Sequence, residues 1–65
     1  MITVYQVYNK FDNYLYTETL SETEAYRICA SINNAHIIAG VSPWDLPWGI
    51  CSRIMADSYA IKLQD

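Results

Sequence analysis

The sequence has little positive charge, and what it has is scattered. Its 65 residues include seven acidic side chains but only four basic ones, Lys10, Arg27, Arg53 and Lys62. Domains that bind nucleic acids need clustered basic residues to neutralise the phosphates. We therefore expect no nucleic acid among the partners of this protein.

Long hydrophobic runs are also missing. The longest apolar run, over residues 35–41, is interrupted by His36 and is too short to span a bilayer. Met1 is followed directly by strand-forming residues rather than by the basic and apolar regions of a signal peptide. The resulting expectation is a soluble, cytoplasmic protein that does not bind membranes.

Motifs for metals, cofactors and catalysis are equally scarce. Cys29, Cys51 and His36 are the only soft metal ligands, and their spacing is unlike that of a zinc site. Both cysteines lie in apolar surroundings, which favours buried free thiols over nucleophiles. Gly40 and Gly49 are isolated and form no phosphate-binding loop. We predict that the protein is not an enzyme and holds no metal or cofactor.

Apolar side chains, by contrast, are abundant. They make up 52% of the chain, and aromatic residues make up 14%, which excludes an acidic disordered tail. A chain of this length is expected to form a single domain, residues 1–65, and to bury only about 60% of its unfolded surface. Part of the apolar surplus must therefore remain exposed or contact another chain.

The first third of the chain predicts a β-hairpin over about residues 2–19. Two segments rich in β-branched and aromatic residues flank a turn rich in Asn and Asp. With Tyr8 opposite Tyr14, one face of the hairpin holds Tyr8, Tyr14 and Tyr16, and Leu15 lies on the other. A register slip of one residue would redistribute these side chains.

A helix is predicted next, over about residues 22–33. Ser21 and Glu24 have the spacing of a capping box, in which each side chain accepts a hydrogen bond from the other residue's backbone N–H. The pair Asn33-Asn34 favours a C-cap. Apolar residues recur at helical spacing between these ends: Ala25, Ile28, Cys29 and Ile32.

The second half of the chain allows more than one interpretation. Residues 36–41 favour a short buried strand over a continuation of the helix towards Gly40. Within 43–56, a short helix competes with an ordered loop followed by a strand over 49–55. Alternation over about 59–63 predicts a C-terminal strand. Together the elements predict an α+β domain with a small antiparallel sheet.

The aromatic side chains are the candidate functional residues. Tyrosine and tryptophan are enriched at the centres of protein interfaces, and the two prolines beside the tryptophans favour a rigid apolar knob. Two other roles remain open, since tyrosines also pair across hairpin strands and at least one tryptophan is expected to close the core. The predicted partner-binding residues are Tyr8, Tyr14, Tyr16, Trp44 and Trp48.

One stretch resembles a known group of proteins. Thr-Val-Tyr-Gln-Val-Tyr-Asn-Lys, followed by Ser-Glu-Thr-Glu-Ala-Tyr-Arg, predicts a hairpin with an Asn-Lys turn before a capped helix, within residues 3–33. This organisation resembles small phage-encoded host-takeover proteins, such as anti-CRISPR proteins and other host-protein inhibitors. The resemblance implies an inhibitor or modulator of a host protein in the host cytoplasm, and it carries over no binding residues. The alternative is a self-assembling homodimer that buries the aromatic hairpin face.

Overall fold

A computed structural model describes residues 1–64 and confirms the α+β class with an antiparallel sheet. In chain order the strands and helices are β1 (Ile2–Asn9), β2 (Leu15–Thr19), α1 (Glu22–Ile38), β3 (Trp48–Met55) and α2 (Tyr59–Gln64). Strand order in the sheet is β2-β1-β3, and both neighbours of the central strand are antiparallel to it. A single 3-10 turn, Pro43–Asp45, precedes β3.

The hairpin forms as expected, but its register differs from the prediction. Asn9 Oδ1 accepts the N–H of Phe11 at 2.9 Å, and Asn13 takes a left-handed φ of 62°. This turn closes with the N–H of Asn9 on the carbonyl of Tyr14, so Tyr8 pairs with Leu15 rather than with Tyr14. The tyrosine face predicted for this hairpin is therefore wrong in its register.

A β-bulge further separates the tyrosines. Val7 pairs with Thr17 and Tyr8 with Leu15, which leaves Tyr16 as the extra residue of β2. The Tyr16 ring packs against Trp48, with ring centroids 5.4 Å apart, on the side of the sheet that α1 covers. Tyr16 and Tyr8 consequently do not share a face.

Helix α1 begins where the sequence predicts and ends later. Ser21 Oγ accepts the N–H of Glu24 at 3.2 Å, whereas the Glu24 carboxylate pairs with Arg27 instead of returning to Ser21. The helix continues through the predicted C-cap at Asn33 to Ile38. Residues 36–41 are therefore not a strand.

The end of α1 is set by Gly40, which has a φ of +96°. Its N–H donates to the carbonyl of Ile37, and the N–H of Val41 donates to the carbonyl of His36, both at 3.0 Å. This pair of bonds is the Schellman arrangement, which needs a left-handed residue just after the helix. The helical alternative for this segment was thus the correct one.

The C-terminal part of the chain forms a strand followed by a helix. β3 pairs along the whole of β1, from Ile2 with Met55 to Asn9 with Trp48, so the loop-plus-strand interpretation of this region is confirmed. Both edges of β1 are then occupied, and the chain turns at Ala56 into α2. The strand predicted over 59–63 is wrong: the N–H groups of Tyr59, Ala60 and Ile61 each donate to the carbonyl three residues earlier and begin helix α2.

The main core lies between α1 and one face of the sheet, here called the helix face. It is built on Val7, Ala25 and Cys29, with half-buried residues packed around them: Tyr5, Ile28, Ile32, Trp48 and Ile50. The opposite face, here called the far face, carries the fully buried Val4 and is approached by α2. Among the described residues, no helix is both long and apolar enough to cross a membrane.

Candidate functional site

The five aromatic residues predicted to bind a partner do not form one surface. Tyr8 is half-buried on the far face, and Trp48 is half-buried against the core. Tyr16 is 49% exposed beside Trp48. Only Tyr14 and Trp44 project mainly into solvent, with 62% and 88% of their surfaces exposed.

Trp48 is held by contacts on several sides. Its Nε1–H donates to His36 Nε2 at 3.1 Å, which joins the start of β3 to the end of α1. Its ring packs on the Val7–Ala25–Cys29 cluster and against Tyr16. These contacts make Trp48 a core residue, as the sequence had left open for one of the two tryptophans.

Asn33, predicted to be part of a helix cap, instead lies within α1 and joins this helix to β3. Its Nδ2 donates to the carbonyl of Trp48 at 3.1 Å, and its Oδ1 accepts the Trp48 N–H at 3.3 Å. The amide therefore pairs with one residue of β3 as another strand would. The available signal was its position four residues after Cys29 on the apolar stripe, where a polar side chain needs a buried partner.

Several exposed apolar side chains belong to segments that meet at the end of the molecule containing the hairpin turn. We define this apolar end by five residues: Phe11, Tyr14, Ile37, Ile38 and Trp44. They come from the hairpin turn, the end of α1 and the segment before β3, which are joined by the bonds of Lys10 with Pro47 and of His36 with Trp48. Large apolar side chains in solvent are candidate contacts for another protein.

Backbone hydrogen bonds fix the segments that carry the apolar end. The N–H of Lys10 in the hairpin turn donates to the carbonyl of Pro47 at 2.7 Å. The N–H of Asp45 donates to the carbonyl of Ser42 at 2.9 Å and closes the turn that holds Trp44. Because Pro43 and Pro47 also restrict the backbone, Trp44 is exposed on an ordered support.

The cysteines and the histidine are engaged in separate contacts. Cys29 is buried and donates to the carbonyl of Trp48 at 3.6 Å, whereas Cys51 is half-buried and donates to Gln6 Oε1 at 3.4 Å. Burial raises the pKa of the Cys29 thiol, although the charge of Lys10 opposes this shift. A raised pKa leaves less of the reactive thiolate at neutral pH. Within residues 1–64, no three His, Cys, Asp or Glu side chains are grouped as a metal site.

The far face contains a depression of about 390 Å³. It is open and mixed in polarity, and Arg53 Nε donates to Gln6 Oε1 within it at 2.9 Å. Tyr8, Leu15 and Cys51 complete most of its lining. Arg53 Nε and the Cys51 thiol both donate to Gln6 Oε1.

A second set of polar contacts on the far face attaches α2 to the sheet. Tyr59 Oη donates to Glu18 at 2.6 Å, and Gln6 Nε2 donates to the same carboxylate at 2.7 Å. These two bonds, the first being the stronger influence, lower the pKa of Glu18 below its ordinary value of 4.5. The same contact raises the pKa of Tyr59.

We expect Tyr59→Phe to lower stability at neutral pH and to have less effect in acid. A carboxyl whose pKa is lowered by folding stabilises the folded state above its unfolded pKa, and that contribution is lost as the pH falls through the folded pKa. Urea unfolding at neutral pH and below 4.5 measures both values. Tyr26→Phe, at an exposed position on α1, is the matched control. An equal loss at the two pH values would contradict this role for Tyr59.

Comparison of the chain with protein-family models, with curated proteins and with solved structures finds no match. Function is therefore inferred from the surface and contacts described above.

Proposed function

We propose that this chain is a non-enzymatic protein-binding module that contacts its partner through the apolar end. In keeping with the resemblance of residues 3–33 to host-takeover proteins, the partner we propose is a host protein. The source we propose is a phage or mobile element, with inhibition or modulation of that protein as the outcome. This proposal narrows the predicted binding set to Tyr14 and Trp44 and adds Phe11.

The single observation that carries the proposal is the exposure of Trp44, at 88%. An indole left in water forgoes the free energy of burying a large apolar ring, which favours burial against another surface. The neighbouring prolines and the closed 3-10 turn restrict the backbone that carries the ring, so binding orders less of the backbone than it would in an open loop. Exposed rings on rigid supports are the usual centres of binding energy in protein interfaces.

The charges around this surface favour a protein over a nucleic acid. Lys10 is the one basic side chain in the hairpin turn, and Asp45 adjoins Trp44 with the opposite charge. Base stacking on aromatic rings is normally accompanied by a basic groove that follows the phosphates. The apolar end instead combines rings and aliphatic side chains, which suits an apolar patch on a protein.

Self-association through an aromatic hairpin face, the alternative expectation, is not favoured by the geometry. Tyr8 and Tyr16 lie on opposite sides of the sheet, and Tyr16 packs on Trp48 within the chain. A second copy would find no continuous tyrosine surface there.

The test compares Trp44→Ala with Ile61→Ala as the matched control. Ile61 is also largely exposed, at 66%, but lies on α2. We expect wild type and I61A to retain the same protein from a bacterial lysate, and W44A to bind that purified protein at least about 30-fold more weakly, as for the loss of an interface hot spot. Equal affinity of W44A and wild type would contradict the assignment, as would a lysate from which wild type retains nothing.

A further inference from the structure

β3 is an edge strand with little to prevent further pairing. It pairs only with β1 in the part of the chain that the structure describes. The Asn33 amide already bonds both backbone groups of Trp48, so the edge that remains for another strand lies beyond Trp48. The eight residues of β3 contain no proline, its register with β1 has no bulge, and Arg53 is its one charged side chain. Natural proteins usually protect a long edge with charges, prolines or bulges, because an open edge recruits another strand.

A groove follows this edge on the helix face. It lies between β3 and α1 and consists of two adjoining depressions that share Tyr26 and Ile50. Tyr26 is 62% exposed on the α1 side, and Ala30 is exposed beside it. The groove can therefore receive an apolar side chain from a strand added alongside β3.

An apolar side chain suited to this groove stands farther along β3 itself. Ile54 is 63% exposed and lies on the same face as Ile50, because side chains four residues apart on a strand point the same way. Beside Ile54, the helix face is left open since α1 contacts the other end of β3, at Cys29 and Trp48. The strand thus carries an exposed isoleucine at one end and, at the other, a groove in which Tyr26, Ala30 and Ile50 supply apolar surface.

We propose that the groove and the outer edge of β3 bind a second copy of this chain, by antiparallel pairing of β3 with β3 about a two-fold axis at Ser52. In this arrangement Ile50 of each copy lies opposite Ile54 of the other. Each exposed Ile54 enters the groove beside Ile50 and Tyr26 of its partner. The two sheets join into one of six strands, and two unprotected edges are removed.

The register follows from the faces and charges of β3. In an antiparallel pair, directly opposite side chains point to the same face of the sheet. The helices of the two copies therefore lie on one side of the joined sheet only if some residue of β3 lies opposite the same residue of the other copy, with the two-fold axis between them. An axis at Arg53 would place the two guanidinium groups opposite each other, which is repulsive. An axis at Cys51 would place Ile54 opposite Trp48, whose ring is already packed in the core.

The axis at Ser52 avoids both conflicts. It places Ser52 opposite Ser52 and Arg53 opposite Cys51. Ile50 of each copy lies opposite Ile54 of the other, so this apolar pair occurs twice in the interface. Glu22 lies near Ser52 in the groove, but it is exposed. Its repulsion with the equivalent Glu22 is therefore reduced by water and salt.

The proposed dimer does not depend on the proposed function, but it would determine how the two apolar ends are placed relative to each other. Antiparallel β3 strands place the Trp48 ends of the two copies far apart. The apolar ends consequently face in opposite directions, so that each can hold a separate partner molecule.

The first test measures mass by sedimentation equilibrium over a dilution series from millimolar to micromolar protein. We expect a monomer–dimer equilibrium, with Ile54→Lys raising the dimer dissociation constant by at least about tenfold because the charge enters the interface twice. Ile61→Lys, a change of the same kind at an equally exposed site on α2, should leave it unchanged. A wild-type monomer at every concentration would overturn the proposal, and would point to an extended segment of another protein as the occupant of the groove.

The second test locates the axis and does not depend on how Ile54→Lys folds. In a Cys51→Ser background, Ser52→Cys places two thiols directly opposite, with Cβ atoms about 5 Å apart. We expect mild oxidation or a short bis-maleimide to give a covalent dimer from this variant. Ser31→Cys, at an exposed position on α1, should remain a monomer. Equal crosslinking of the two variants would overturn the register.

Discussion

Replacing Trp48 by alanine is expected to lower the free energy of unfolding by about 3 kcal/mol, at the low end for tryptophan because the ring is only half-buried. The substitution removes the ring from the Val7–Ala25–Cys29 cluster and from Tyr16, and it leaves His36 without its indole donor. A chain of this length has a total stability of about 3–10 kcal/mol. We therefore expect W48A to lose between about a third and nearly all of the stability of the fold.

Trp44→Ala is the matched control for this prediction. Trp44 is the same residue type four positions earlier, but most of its surface is in water, and its removal should change stability by less than about 0.5 kcal/mol. Urea unfolding followed by far-UV circular dichroism compares the two variants without relying on tryptophan fluorescence. Similar losses for both would mean that the assignment of one indole to the core and the other to the surface is wrong.

Asn33→Ala is expected to cost about 2 kcal/mol, the second-largest effect of a single substitution. The change leaves the N–H of Trp48 without its side-chain acceptor in a half-buried setting, and it removes one of two donors to the Trp48 carbonyl. The better helix propensity of alanine offsets only about 0.5 kcal/mol of this loss.

The adjacent Asn34→Ala provides the control for Asn33. Asn34 is exposed on the same turn of α1, so alanine should leave stability unchanged or raise it slightly through helix propensity. The comparison uses chemical unfolding of the two variants under identical conditions. If N33A is as stable as N34A, the hydrogen bonds between Asn33 and Trp48 do not stabilise the fold.

The sequence predicts well those features that depend on neighbouring residues. The hairpin, its Asn-rich turn and the cap at Ser21 are all local, because each requires particular side chains within a few positions. The α+β class follows from these elements. Register is less predictable, since a single left-handed residue at Asn13 and a bulge at Tyr16 reassign every tyrosine of β2.

The errors in the second half have a common physical cause. Residues 36–38 and 59–63 are suited to either a helix or a strand. In the fold, the hydrogen bonds around Gly40 keep the first segment in α1, and the bond from Tyr59 to Glu18 attaches the second to the far face as part of α2. Contacts with distant segments contribute to both outcomes, and propensity alone does not predict them.

The sequence predicted that aromatic side chains would be exposed, but not which of them. Aromatic surplus in a short chain correctly indicated exposed rings, and Trp44 and Tyr14 are among them. The sequence could not separate Trp44 from Trp48, because both adjoin a proline and lie at helical spacing. Their roles differ because Asn33 and His36 bond to Trp48, whereas Trp44 projects into solvent.

The most direct test of the proposed function is the affinity of the folded Trp44→Ala variant for the protein that wild type retains from a bacterial lysate, measured by isothermal titration calorimetry. We predict that W44A keeps wild-type stability and binds at least about 30-fold more weakly, while Ile61→Ala binds as wild type does. A folded W44A that binds with unchanged affinity would contradict the assignment of the apolar end as the contact surface.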